Sequence, residues 1–135
     1  MVDPDRIRAK LVVLERYVGR LQGMPDDVDD EDRIYARRYL VQGAVQSCID
    51  IANHLIASEG WAPAVEFREA FTRLEEQNIL DADLADRLRA ATGLRNRLVH
   101  LYDEVDDDLV ADSTRQGLAD FEAFAVAISG ILNTG

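Results

Sequence analysis

The sequence predicts an all-α protein, an antiparallel bundle of about five helices forming one domain over residues 1–135. Three observations carry that expectation. Apolar residues recur at three- and four-residue intervals along almost the whole chain, and no stretch alternates as a half-buried strand would. The breaks in this pattern fall on Gly, Pro and acidic runs, at Gly23-Met24-Pro25, Glu59-Gly60-Trp61 and 103–108. At 135 residues, 47% of them hydrophobic and 30% charged, the chain is long enough for one real core and too short for two.

The first helix is expected over 4–22. Pro4 sits near its first turn, and Ile7, Leu11, Leu14, Val18 and Leu21 share one face. A long second helix is expected from about Glu31 to Ser58. Acids stand at its start, where the helix dipole favours them, and its apolar set includes Ile34, Leu40, Val41, Val45, Cys48, Ile51, Ala52 and Leu55. Pro63 is expected to begin a third helix ending near Asn78, with Val65, Phe67, Phe71 and Leu74 apolar. Asp81 is the expected N-cap of the fourth, which carries Leu84, Leu88, Leu94 and Leu98. Gly93 inside it marks either a weak point or a close-packing point. A last helix after Asp106-Asp107-Asp108 runs to about Leu132, with Leu109, Leu118, Phe121, Phe124, Ile128 and Ile131. There is no repeat, low-complexity tract or internal linker, so a single helical bundle is the expectation.

Composition excludes several classes. No apolar run approaches the roughly 18 residues that span a bilayer, and the N-terminus lacks a basic-then-apolar signal, which gives the expectation of a cytoplasmic protein with no membrane partner. The single Cys48 excludes an internal disulfide and any cysteine-rich metal site. No Gly-rich phosphate loop is present, so the chain is not expected to bind ATP, and no cofactor or metal is expected. The formal charge of −11 argues against nucleic acid at first sight. Its distribution matters more. Six acids crowd into 26–32 and five into 103–108, read as solvated loops, whereas 33–49 and 87–102 contain none. A local field can therefore be positive on a globally negative protein.

One of those acid-free stretches holds the most informative string, Arg95-Asn96-Arg97-Leu98-Val99-His100-Leu101-Tyr102. It combines fixed cations, one of only two histidines and a phenol within eight residues. On an ideal helix Arg95 and Tyr102 fall about 20° apart, and Asn96 and His100 about 40°. Arg95 and His100 are separated by roughly 140°, so one straight helix cannot aim both at the same atom. Either the helix distorts or ends near His100, or another chain completes the site. Cleaving RNA without a metal needs a base for the ribose 2′-OH, charge stabilisation at phosphorus and an acid for the leaving oxygen. A histidine can fill the first or last role near neutral pH, and an arginine the second. Taken alone, spacing leaves catalysis open beside a surface or capping role for His100.

The string R-N-R-L-V-H-L-Y also resembles the R-x(4)-H-x-Y signature of HEPN-family toxins, in particular the HepT-like group. The resemblance extends through 44–56, Phe67-Arg68-Glu69-Ala70-Phe71, Ala91-Thr92-Gly93-Leu94, Asp103-Glu104-Val105-Asp106 and Asp120-Phe121-Glu122-Ala123-Phe124. It implies a HEPN-like bundle that forms a homodimer with two motif segments across a cleft. The implied activity is that of a metal-independent endoribonuclease toxin in a type VII-like toxin–antitoxin pair, leaving 2′,3′-cyclic phosphate ends on its RNA substrate. The implied partner is an MntA-like nucleotidyltransferase antitoxin that transfers AMP onto the motif tyrosine. By position, Arg95 and His100 would be catalytic, Asn96 an orienting or transition-state group and Tyr102 the AMPylation site. The alternative is a non-catalytic HEPN module that binds a nucleotidyltransferase partner or a nucleotide.

Around this set, Arg97 either contacts RNA or flanks the site. Arg33, Arg37 and Arg38, with Tyr35 and Tyr39, are candidates to line the RNA cleft, with dimer packing or ordinary surface as the other readings. His54, four residues after Asp50, is expected to hydrogen-bond that carboxylate within one helix. Trp61 is expected to anchor the turn between helices two and three.

Overall fold

The computed structural model describes residues 3–100 and 102–134, without the side chains of Tyr102 and Thr134. Five α-helices run in order, α1 (Pro4–Gln22), α2 (Glu31–Glu59), α3 (Phe67–Glu76), α4 (Ala82–His100) and α5 (Asp107–Thr134), with a 3-10 turn at Tyr102–Glu104 before α5. No strand occurs among the described residues. The all-α bundle of five helices is therefore what the pattern predicted.

Local sequence sets each start. The Asp3 carboxylate accepts from the Arg6 amide and Pro4 occupies the first turn of α1, where a missing N–H costs nothing. Asp30 caps α2 by accepting from the amides of Asp32 and Arg33 at 2.9 and 3.4 Å. Asp81 caps α4 by accepting from the Leu84 amide at 2.8 Å, and Asp106 caps α5 by accepting from Asp108 and Leu109. Gly60 ends α2 at φ 71°, a left-handed conformation that a side chain would strain. Asn78, also left-handed at φ 60°, closes α3, a position asparagine tolerates.

Packing follows the predicted faces. Ile7, Leu11, Leu14 and Val18 of α1 join Val45, Cys48, Ile51 and Leu55 of α2, Phe71 and Leu74 of α3, Leu84 and Leu88 of α4 and Phe121, Phe124 and Ile128 of α5 in the main core. Phe71 and Phe124 meet edge-to-face with centroids 6.1 Å apart. Trp61 packs on this core at the α2–α3 turn as expected. Burial pushes the Cys48 thiol up, so it behaves as a small hydrophobe. A second, smaller cluster of Leu21, Leu40, Val41, Leu98 and Val110 lies toward the end of the bundle that carries 95–104.

Two sequence expectations are corrected, and one choice between alternatives, at Gly93, is decided. The third helix begins at Phe67 rather than Pro63. The Arg73 side chain donates to the Ala62 carbonyl, and the Val65 amide donates to the Glu69 carboxylate. These bonds satisfy the stretch after Trp61 outside a helix, and Val65 is left 90% exposed instead of joining the core. Gly93 is not a close-packing point, since a Cβ there would meet nothing within 4 Å. Finally, Asp50 accepts from Gln46 at 2.8 Å and faces Lys10 at 3.9 Å, while His54 Nε2 is buried without a partner, so the Asp50–His54 bond is replaced.

Candidate functional site

The string 95–102 lies at the C-terminal end of α4, and its apolar members fix its orientation. Leu98 is buried in the smaller cluster, with Leu94 packed beside it. This turns Asn96, Arg97 and His100 outward, where all three are exposed, and leaves Arg95 half-buried on the side facing α3. The α-helix ends at His100 and a 3-10 turn takes over at Tyr102. Of the geometries open to the sequence, the structure thus has a helix that stops near His100. The side chain of Tyr102, the expected modification site, lies outside the described residues.

Arg95 has unusual company. Its Cζ stands 4.8 Å from the centroid of the Phe67 ring, its Nη1 donates to Asn96 Oδ1 at 3.2 Å, and its Nε is buried without a partner. Among the described residues no carboxylate lies within the 4.0 Å ion-pair distance of Arg95 or Arg97. The other two arginines of the acid-free stretch 87–102 differ. Arg87 pairs with Asp120 of α5 at 2.7 Å, and Arg89 pairs with Glu75 at 2.9 Å and with Asp86. Hydrogen bonds to those carboxylates raise both arginine pKa values. The positive field that the linear count implied is therefore concentrated at 95–97.

The three arginines of α2 have partners within the chain. Arg37 is 3% exposed and donates to the carbonyls of Pro25 and Asp27 at 2.6 and 3.0 Å, so it clamps the α1–α2 connection and offers no guanidinium face to RNA. Arg38 forks onto Asp107, Nε to Oδ1 and Nη2 to Oδ2, both at 2.8 Å, and this bonding raises its pKa. Arg33 pairs with Asp27 at 2.9 Å. Within the acid runs Asp30 and Asp106 act as caps and Asp26, Asp27 and Asp107 as arginine partners, while most of these carboxylates stay exposed as solvated runs would. Tyr35 donates to Glu31, and Tyr39 packs edge-to-face on Tyr17; both rings remain largely exposed.

Phe67, expected only as one of the apolar residues of the third helix, is the contact of Arg95 that sequence reasoning missed. The signal was present in its spacing from Ala70 and Phe71, which lets it prolong their stripe past the core to the α4 terminus. Among the described residues no group of three or more His, Cys, Asp or Glu side chains is placed to hold a metal ion, and no helix is long and apolar enough to cross a membrane.

Comparison with known proteins gives a consistent result. The family described as Ribonuclease HepT-like matches residues 7–128. An mRNA nuclease HepT of Shewanella oneidensis is 32% identical over 124 residues, covering 89% of this chain and 93% of the relative. A tRNA nuclease HepT of Aphanizomenon flos-aquae is 30% identical over 139 residues, covering 98% and 94%. Among solved structures, a tri-AMPylated Shewanella oneidensis HEPN toxin in complex with an MNT antitoxin superimposes with a TM-score of 0.87 at 30% identity, covering 96% of this chain and 99% of that one. The cytosolic protein YutE of Bacillus subtilis, at 17% identity and a TM-score of 0.92, shares the fold.

Proposed function

This chain belongs to the HepT-like ribonuclease family, and from that premise we propose that it is an endoribonuclease toxin cutting RNA without a metal through Arg95 and His100. What carries the reading is the R-x(4)-H-x-Y spelling of residues 95–102, set in a chain that matches the family over 7–128. The exposed His100 at a helix end, and an Arg95 that no carboxylate pairs with among the described residues, support it.

The residues would act as follows. A neutral His100 imidazole takes the proton of a ribose 2′-OH, and the 2′-oxygen attacks phosphorus. The bond from phosphorus to the 5′-oxygen breaks, and a protonated imidazole returns a proton to that leaving oxygen. Products are a 2′,3′-cyclic phosphate and a 5′-OH. In a symmetric dimer each subunit contributes one His100, which supplies both base and acid and answers the roughly 140° separation of Arg95 and His100 on one helix. Arg95 stabilises charge on the phosphorane oxygens, and Asn96, holding Arg95 Nη1, orients it. Arg97 is exposed beside them and is the remaining candidate for an RNA phosphate contact.

The partner in this reading is a nucleotidyltransferase antitoxin that transfers AMP from ATP to the Tyr102 oxygen with loss of pyrophosphate. Each AMP brings a phosphodiester charge and a nucleoside beside Arg95 and His100, competing with RNA phosphate and blocking the cleft. The relative crystallised as an AMPylated toxin with its MNT antitoxin supports this control.

The test is an EDTA-resistant RNase assay on chain shown by mass to be unmodified, wild type beside His100→Ala, with the cleaved ends identified. Cyclic-phosphate ends that vanish in the variant are expected. No cleavage by the unmodified protein would favour the second reading, a non-catalytic module binding a partner or nucleotide, to which the net charge of −11 lends weight. With partner and ATP, the mass should rise in multiples of one AMP, and Tyr102→Phe should prevent the gain.

A further inference from the structure

We propose that Phe67 is a positioning residue for Arg95, holding the guanidinium by a neutral aromatic contact so that it meets the scissile phosphate oriented and fully charged. The inference rests on the nuclease reading for its kinetic consequence, but the contact itself is testable without it.

The argument begins with which arginines are withdrawn from solvent. Among the described arginines, Arg37 is buried, Arg38, Arg73, Arg89 and Arg95 are half-buried, and the rest are exposed. Arg37 donates to two carbonyls through Nη2, while its Nη1 is buried without a partner. Arg38, Arg73 and Arg89 each meet a carboxylate, on Asp107, Glu76 and Glu75. Arg95 alone in this group has neither; its contacts are the Phe67 ring and the Asn96 amide oxygen. A half-buried cation with no counter-charge is costly unless something compensates for lost water. The face of an aromatic ring does so without cancelling the net charge, because the attraction comes from the ring quadrupole.

The fold explains why Phe67 can reach. Helices α3 and α4 form an antiparallel hairpin: Arg89 donates to Thr72 Oγ1 at 3.1 Å and to Glu75 at 2.9 Å, so the start of α3 must lie beside the end of α4. Phe67 is the first residue of α3, three before Ala70 and four before Phe71, both fully buried. Its ring therefore continues their stripe beyond the core and remains 39% exposed. There it meets the Arg95 guanidinium, whose Cζ stands 4.8 Å from the ring centroid.

A carboxylate in the same position would hold Arg95 equally well and would compete with RNA for it. The ring leaves the charge available for phosphate. Its benefit belongs to the transition state, where Arg95 must face the developing phosphorane charge, so it should appear in kcat more than in KM.

The experiment compares wild type with Phe67→Leu, Phe67→Tyr and Arg95→Ala, and with Phe67→Leu in the Arg95→Ala background, by RNA cleavage kinetics and by NMR of the Arg95 Nε–H resonance. Phe67→Leu, which keeps an apolar side chain but removes the ring, should lower kcat about three- to thirtyfold with KM nearly unchanged. Phe67→Tyr should restore it. In the Arg95→Ala background Phe67→Leu should have no further effect. The ring-current displacement of Arg95 Nε–H should be present in wild type and Phe67→Tyr and absent in Phe67→Leu. A loss confined to KM, or one that persists without Arg95, would mean that Phe67 contacts RNA itself, and would overturn the proposal. Should wild type cleave no RNA, the nuclease reading fails with its kinetic consequence, and the resonance still decides the contact: an Arg95 Nε–H shift unaltered in Phe67→Leu refutes the hold of the ring on Arg95, and its loss upholds that hold.

Discussion

The Arg38–Asp107 fork joins the N-terminal third of α2 to the first turn of α5, shortly after the 3-10 turn that carries Tyr102. Its two bonds are both 2.8 Å long, and the side chains are 18% and 21% exposed, so the pair is neither a loose surface contact nor a buried one. Charge-assisted hydrogen bonds contribute about 1.5–3 kcal/mol when shielded, against about 0–1 kcal/mol for an exposed ion pair. Partial shielding places the coupling between them, at about 1–2 kcal/mol. Asp107 adds a dipole interaction at the start of α5, roughly 0.3–1 kcal/mol, which survives in Arg38→Gln and disappears in Asp107→Asn. The two single variants should therefore be unequal, with Asp107→Asn the less stable. Urea unfolding of wild type, both singles and the double measures the coupling directly, and the cycle cancels the loss of the Arg38 contact to the Tyr35 ring. A coupling below about 0.5 kcal/mol would refute the shielded-strut account and return the pair to the surface class. An Arg38 that instead served RNA would leave the unfolding midpoint of Arg38→Gln unchanged while lowering the salt slope of RNA binding by about one.

Two glycines should respond in opposite directions to alanine. At Gly43 a Cβ would sit 2.5 Å from Tyr17 Cε2, in a ring already packed edge-to-face on Tyr39, so overpacking of about 1–3 kcal/mol should outweigh a helix-propensity gain of about 1 kcal/mol. Gly93→Ala meets no atom within 4 Å and should stabilise by about 0.5–1 kcal/mol; thermal unfolding of the pair checks both signs. Cys48, fully buried with its pKa raised by desolvation, should resist iodoacetamide at pH 8 while the chain is folded and be alkylated once it is unfolded in urea. Labelling at equal rates in both states would mean that α2 opens far more readily than its packing implies.

Helix identity was legible because the information is local. Ile7, Leu11, Leu14, Val18 and Leu21 spell the buried face of α1 in its own residues, and Asp30 and Asp81 cap α2 and α4 through amides two or three positions away. The start of α3 was not legible for the opposite reason. Pro63 is as good a first-turn residue as Pro4, but the Ala62 carbonyl and the Val65 amide are satisfied by Arg73 and Glu69 side chains from the helix that follows. A propensity argument cannot see a carbonyl whose partner lies 11 residues ahead. The same limit applies to Phe67, which the pattern marks only as an apolar residue of the third helix; its contact with the Arg95 guanidinium comes from another helix.

Charge was the least legible property, and the reason bears on function. Counting acids along the chain makes 87–102 uniformly positive, yet Arg87 and Arg89 find Asp120 and Glu75 at sequence distances of 33 and 14 residues. The acid-free stretch is thus a statement about neighbours in sequence, and a phosphate responds to neighbours in space. Folding removes most of that field and leaves the part around Arg95 and Arg97. Because interactions between exposed charges fade beyond about 8–10 Å at ordinary salt, the distant acids that make the protein −11 overall weaken this local site far less than the total suggests. Pairing the structural arginines with carboxylates and supporting Arg95 with an aromatic ring and an amide are two halves of one arrangement: the first ties the arginines of an acidic protein into its fold, and the second leaves one half-buried cation with no carboxylate partner among the described residues, as the proposed RNA chemistry requires.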